Sequence, residues 1–110
     1  MKSDAVYLHH VLDALRQIED YMDGISLDVF LSDRMRQDAV VRQLEIIGEA
    51  CRQLSDALRA RHPDVPWRAI IGMRNRIAHD YLNIDLHVIW DVVQVDLPSL
   101  KTSIERILGL

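Results

Sequence analysis

One cysteine, Cys51, stands in 110 residues. It has no internal partner for a disulfide, and a single thiol does not make a zinc site by itself. No stretch approaches the roughly 20 consecutive apolar residues that a membrane-crossing helix needs. The opening Met1-Lys2-Ser3-Asp4 turns acidic where a secretory leader requires a basic start and an unbroken apolar run, so the cytoplasm is the compartment expected. Internal repeats and low-complexity tracts are missing, which excludes solenoids and arrays. A Gly-rich phosphate loop, a nucleophile elbow and a zinc signature are missing too, which removes the commonest nucleotide-hydrolysing and serine-hydrolase designs. An overall basic excess is also lacking. The net charge of −4 argues against an indiscriminate nucleic-acid binder, since such proteins neutralise phosphates with a cationic surface.

What is present is a balanced mixture, 49% hydrophobic and 27% charged, that suits one compact water-facing domain over residues 1–110. A domain of this length buries roughly two thirds of the surface its unfolded chain exposes, enough for a single core. The net charge conceals an asymmetry. Residues 1–33 hold two basic and seven acidic side chains, residues 34–76 nine and five, and residues 77–110 two and five. All nine cations of the middle third are arginines, whose planar fork suits phosphate. The plainer reading pairs them along helix faces with Glu45, Glu49 and Asp56.

Hydrophobic periodicity is helical throughout, and no strand pattern competes. Leu8, Val11, Leu12, Leu15, Ile18 and Met22 recur at three- and four-residue steps, with Ser3 or Asp4 as cap and Gly24 as stop. A short connector with Ser26, Ser32 and Asp33 leads to a second, longer stripe: Val40, Val41, Leu44, Ile47, Cys51, Leu54 and Leu58. Gly48 inside that helix costs about 1 kcal/mol relative to alanine, which points to a helix crossing closely there. Pro63 and Pro66 end the second helix, and Pro66 starts a third with Trp67, Ile70, Ile71, Met73 and Ile77 on its buried face. From Asp85 a fourth runs through Leu108, kinked or interrupted at Pro98. The expectation is an all-α antiparallel bundle of four to five helices.

The densest chemistry lies in Gly72-Met73-Arg74-Asn75-Arg76-Ile77-Ala78-His79-Asp80-Tyr81. On an unbroken helix Arg74 and His79, five apart, would point about 140° away from each other. Either the helix ends or distorts before His79, or the two side chains meet across an interface with a second subunit. Both routes set a cation beside an imidazole, a pairing suited to RNA cleavage by the 2′-hydroxyl. The imidazole accepts the proton, and the guanidinium stabilises the charge that develops on the phosphate oxygens.

The segment resembles the signature of the HEPN superfamily in its HepT-like branch: Arg74, a polar Asn75, three further residues, His79, then Tyr81. The Gln43-Leu44-Glu45-Ile46-Ile47-Gly48-Glu49-Ala50 stretch, Pro66-Trp67, Gly72-Met73, the run from Asp85 to Trp90 and Asp96-Leu97-Pro98 resemble that branch in order and spacing, over nearly the whole chain. The resemblance implies a homodimeric bundle acting as a metal-independent endoribonuclease toxin, with tRNA among the candidate targets. It implies that Arg74 and His79 of both subunits line an interface cleft and are catalytic, that Asn75 supports them, and that a minimal nucleotidyltransferase antitoxin silences the toxin by transferring AMP to Tyr81. Arg76 joins Asn75 as a supporting, RNA-binding residue. No cofactor is expected.

Other constellations are weaker. His9, His10 and Asp13 offer an i, i+4 pair without a third metal ligand at suitable spacing, so no metal site is expected. Glu45 and Glu49 could pair as carboxylates, but Arg42 and Arg52 flank them at ion-pair spacing. Cys51 falls on an apolar stripe as a small core residue, and His62 and His87 read as surface or capping groups. The alternative function is a non-cleaving helical module that binds a nucleotidyltransferase partner or a nucleotide. Retention of Arg74, Asn75 and His79 together favours cleavage.

Overall fold

The computed structural model describes residues 3–73, 76, 78–80 and 83–110, with positions 78–80 and 83 described through their backbone. The chain is an all-α bundle. Its helices are α1 (Asp4–Met22), α2 (Leu27–Ser32), α3 (Arg34–Gln53), α4 (Asp56–Arg61), α5 (Trp67–Ile71), α6 (Leu86–Asp91) and α7 (Leu97–Leu108). A π-helical turn, Val92–Asp96, joins α6 to α7, and a short antiparallel ladder pairs β1 (Ala78–Asp80) with β2 (Asn83–Ile84).

The first and third helices form an antiparallel pair whose polar ends are tied. Asp4, at the start of α1, accepts hydrogen bonds from the Ser55 backbone N–H (2.8 Å) and hydroxyl (2.6 Å) beyond the end of α3. At the opposite end Arg36, in the first turn of α3, donates to the Tyr21 carbonyl and pairs with Asp33 at 3.1 Å. Between these ties the apolar stripes interlock: Val11 and Ile18 of α1 and Val40, Ile47 and Cys51 of α3 are sealed from solvent. Phe30, Ile89, Val92 and Ile104 complete the core from the other elements. Each fully buried aliphatic or aromatic side chain of this kind contributes roughly 1.5–3 kcal/mol. Burial pushes the Cys51 thiol up to about 12, so it is an inert core residue, as its position on the stripe implied. The last helix is tied to α1 by Lys101 to Glu19 (2.6 Å) and to the connector before α5 by Arg106 to Asp64 (2.6 Å).

Several element boundaries differ from the sequence reading, each for a local reason. The connector after Gly24 contains a helix, α2, because the Ser26 hydroxyl accepts from the Val29 N–H (3.2 Å) and Phe30 is driven into the core. The expected second helix ends at Gln53 rather than running through Leu58. Its break is built by Ser55, which caps α4 through the Leu58 N–H (3.1 Å) while its own N–H and hydroxyl are held by Asp4. Asp4, expected as a possible cap for α1, therefore serves a different helix. The third helix stops at Ile71, where the Gly72 N–H closes on the Arg68 and Ile70 carbonyls; Met73 and Arg76 regain helical geometry beyond it, and Ile77 lies outside the described residues. The β1–β2 ladder is a correction to the reading that no strand forms, although five residues of ladder leave the class unchanged. The expected interruption at Pro98 is present, and it takes the form of a widened turn just before the proline. The Leu97 N–H reaches back five residues to the Val92 carbonyl, so the turn absorbs a proline that cannot donate and would crowd the carbonyl four residues before it.

Gly48 sits where the sequence reading wanted a close crossing, and α5 is the element that crosses. A Cβ added at Gly48 would stand 3.4 Å from the Ile70 carbonyl oxygen and 3.6 Å from that of Ile71. These are ordinary contacts for a methyl group and leave no room for a larger one. Gly48→Ala is therefore expected to leave thermal stability within about 1 kcal/mol of the parent, with helix propensity offsetting the tighter contact. Gly48→Leu is expected to push α5 away and lower the melting temperature by several degrees, as overpacking costing about 1–3 kcal/mol does.

The Asp4–Ser55 tie carries a pH signature. Hydrogen bonds from the Ser55 hydroxyl and backbone, with Arg61 nearby, hold the Asp4 carboxyl below its ordinary range. A carboxylate depressed in the folded state stabilises at pH values above its unfolded pKa, and that contribution is lost as pH falls through the folded one. Asp4→Asn is accordingly expected to destabilise at neutral pH, with parent and variant converging in acid; thermal denaturation across pH 2 to 7 (the range roughly bracketing carboxylate titration) checks this. Ser55→Ala removes both the cap and Asp4's hydroxyl partner and is expected to cost about 1 kcal/mol or more.

Candidate functional site

Two concave regions lie beside α5. The larger, about 440 Å³, lies along α1 and α3 and reaches Ile71 at the end of α5. Tyr7 and His10 stand on its α1 side, their rings edge to face at 6.1 Å. Arg42, Glu45, Glu49 and Arg52 come from the exposed stripe of α3. Glu49 holds Arg52 in a two-pronged pair, with Nη2 at 2.8 and 2.9 Å from the two carboxylate oxygens, and accepts a further bond from Gln53 at 3.1 Å. The Gln53 and Arg52 bonds hold the Glu49 carboxyl below its ordinary range. A carboxylate so engaged is a poor proton acceptor, which bears out the reading of Glu49 as structural support. Arg59 pairs likewise with Asp56 at 2.6 Å, while Arg42 and Glu45 form no ion pair with each other among the described residues.

The second region, about 270 Å³, lies between α5 and the π turn and α7. Val65, Ile70, Met73, Leu97 and Leu100 give it an apolar floor, and Arg76 and Asp96 stand at its edge. Arg76 Nη1 lies 3.2 Å from Asp96 Oδ2, an ion pair that bridges 20 positions of sequence. The backbone tie of Arg76 is weaker, its N–H reaching the Gly72 carbonyl at 3.4 Å.

Of the site residues expected from sequence, Arg74, Asn75 and Tyr81 lie outside the described residues, as does the side chain of His79. Arg76 is described, and its guanidinium is engaged by Asp96. The backbone at His79 belongs to β1, which pairs Ala78 with Ile84 and Asp80 with Asn83. The helical path thus ends before His79, the first of the two routes the spacing left open. The five-residue helical separation of Arg74 and His79 does not apply.

Asp96 had no role in the sequence reading beyond its place in the Asp96-Leu97-Pro98 run. A usable signal was there: a carboxylate two residues before a proline sits in a turn that cannot remain a regular α-helix. The Tyr7 and His10 side of the groove left no signal, because it depends on how α1 packs against α3. The structure gives His62 a backbone role, its carbonyl accepting the Trp67 indole N–H at 3.0 Å, and leaves His87 exposed.

Residues 11–107 match the model of the HepT-like ribonuclease family. Across 106 residues the chain is 38% identical to a protein of Thermococcus cleftensis named "Probable ribonuclease HepT", covering 96% of each chain. It is 36% identical over 108 residues to a protein of Caldanaerobacter subterraneus subsp. tengcongensis named "Putative RNase", covering 98% of this chain and 96% of the other. No solved structure matches. With the helical bundle and matches that span nearly the whole sequence, the chain belongs to the HepT-like ribonuclease family.

Proposed function

We propose that the protein is the toxin of a toxin–antitoxin pair and cleaves RNA internally without a metal ion, with Arg74 and His79 as its catalytic residues. The observation that carries this reading is the order Arg74-Asn75 and His79 in a ribonuclease-family chain whose backbone has left the helix at His79. In the reaction the His79 imidazole accepts the proton of a 2′-hydroxyl as its oxygen bonds to the adjacent phosphorus. The bond from phosphorus to the 5′ oxygen breaks, and that oxygen takes up a proton. The products are a 2′,3′-cyclic phosphate and a 5′-hydroxyl end. Arg74 stabilises the charge on the non-bridging oxygens of the transition state. Asn75 supports the pair, and RNA is the macromolecular substrate.

A homodimer completes the site, with the two copies of the motif facing one cleft. Two-fold symmetry then doubles each arginine along that cleft, and concentrates positive charge that the net −4 of the chain does not reveal. His79→Ala is expected to lower RNA cleavage by at least about 100-fold, the usual lower bound for a general base. The variant should keep the dimer's sedimentation and melting behaviour, and the parent should cut equally well in excess chelator. Cleavage by the variant at the parental rate would remove His79 from the mechanism.

Regulation in this reading acts through Tyr81. A minimal nucleotidyltransferase antitoxin transfers AMP to its phenol, two positions from His79, and the added phosphate repels an incoming phosphodiester while offering the neighbouring arginines a competing anion. Co-expression with the partner nucleotidyltransferase is expected to raise the intact mass by AMP units, and the gain should vanish in Tyr81→Phe. That variant should remain toxic in the presence of the partner. Full neutralisation with an unmodified Tyr81 would mean silencing by binding alone.

A further inference from the structure

The stretch from Gly72 through β1 bears the candidate catalytic residues, and among its described residues Arg76 makes a side-chain tie to the bundle. On its α7 side the packing is open: the 270 Å³ cavity lies between Met73 of this segment and Leu97 and Leu100 of the last helix. Across the edge of that cavity runs the Arg76–Asp96 pair at 3.2 Å.

Asp96 is a well-founded anchor for such a strap. It ends the π turn, whose Val92 is sealed from solvent and whose Val93 and following Leu97 are buried. The π geometry itself decides where Asp96 points. Each residue of an α-helix advances about 100° around the axis, so an extra residue accommodated in one turn re-aims the side chains that follow it. The widened turn accommodates Pro98, and from its last residue the Asp96 carboxylate reaches Arg76. Arg76 in turn lies between positions 74 and 79 of the sequence.

From this geometry we infer that Asp96 is a positioning residue for RNA cleavage: through Arg76 it holds the segment that carries Arg74 and His79 at its working distance from α7. The inference rests on the proposed catalytic role of those two residues. A half-exposed ion pair contributes little to global stability. A strap across an unfilled gap nevertheless restricts the geometry of a site that must be held to within about 0.5 Å. Arg76, expected from sequence as an RNA contact, becomes in this arrangement the link between the motif and the bundle.

The test measures single-turnover cleavage and RNA affinity separately, in the full-length protein, for Asp96→Asn, Asp96→Glu, the reversed pair Arg76→Asp with Asp96→Arg, and His79→Ala in parallel. Asp96→Asn is expected to slow cleavage at saturating RNA about tenfold, the scale of a modest loss of preorganisation, with RNA affinity and melting temperature unchanged. Asp96→Glu, which keeps the charge, should recover most of the rate, and the reversed pair should cut faster than either single reversal. A parental rate in Asp96→Asn overturns the inference. So does tighter RNA binding in that variant, which would make Arg76 a phosphate ligand and Asp96 its competitor. His79→Ala separates the two levels: full activity there removes the catalytic reading, whereas a dead His79→Ala beside an unaffected Asp96→Asn removes only the strap.

Discussion

The close approach of α5 to α3 at Gly48 is the contact that places the end of α5, from which the chain runs on to the candidate motif. The carbonyls that end α5 come so near the α3 backbone that position 48 has room for a methyl group at most. The helix that meets it is five residues long and is fixed at its start by Trp67, whose ring is buried and whose indole N–H is bonded to His62. A helix this short has almost no stability of its own, since helix nucleation outweighs the few hydrogen bonds gained. Its geometry is imposed by α3 beneath it. The candidate motif begins three residues after α5 ends, so the contact at Gly48 sets where the chain leaves the bundle toward it.

The long helices were legible because their information is local and redundant. Six apolar positions in α1 and a comparable stripe in α3 repeat the same three- and four-residue step, and any one of them could change without altering the reading. Boundaries that depend on distant partners were not legible. The break at Ser55 needs Asp4, 51 positions away, to hold the Ser55 N–H and hydroxyl; nothing near Ser55 announces that tie. The helix α2 was hidden for a related reason. Its six residues are too few to show a period, and its strongest local signal, a serine three residues before Val29, serves a turn as well as a cap.

The candidate site was legible in a different sense. Arg74, Asn75, His79 and Tyr81 were singled out by residue type, spacing and resemblance, and the family membership of the chain supports the ribonuclease class to which that resemblance pointed. Spacing could not decide between a helix ending before His79 and a second subunit supplying the partner group. The β1–β2 ladder answers the backbone half of that question, because an extended strand through Ala78–Asp80 is incompatible with a continuing helix. A ladder of two and three residues is marginal in isolation, and its sequence lacks the alternation that would have disclosed it. It forms here between the short segments that α5 and α6 hold in place.

The division of labour between apolar and polar groups explains why so small a bundle can hold a site at its edge. Among the described residues no polar or charged side chain is buried, so the core is set wholly by shape and apolar contact. Charged side chains act outside it, as ties between segments distant in sequence: Lys101 to Glu19, Arg106 to Asp64 and Arg76 to Asp96. Each is partly solvated, and none is worth much as stability. Their value is directional. Asp64, Arg76 and Asp96 all line one cavity, which lies between α7 and the segments preceding the ladder. A tightly filled core at that place would fix the motif more firmly, but it would also bury the guanidinium of Arg76, and a buried cation needs full compensation for its lost hydration. An open edge with an ion-pair strap avoids that cost, and leaves the Arg76 guanidinium half in water.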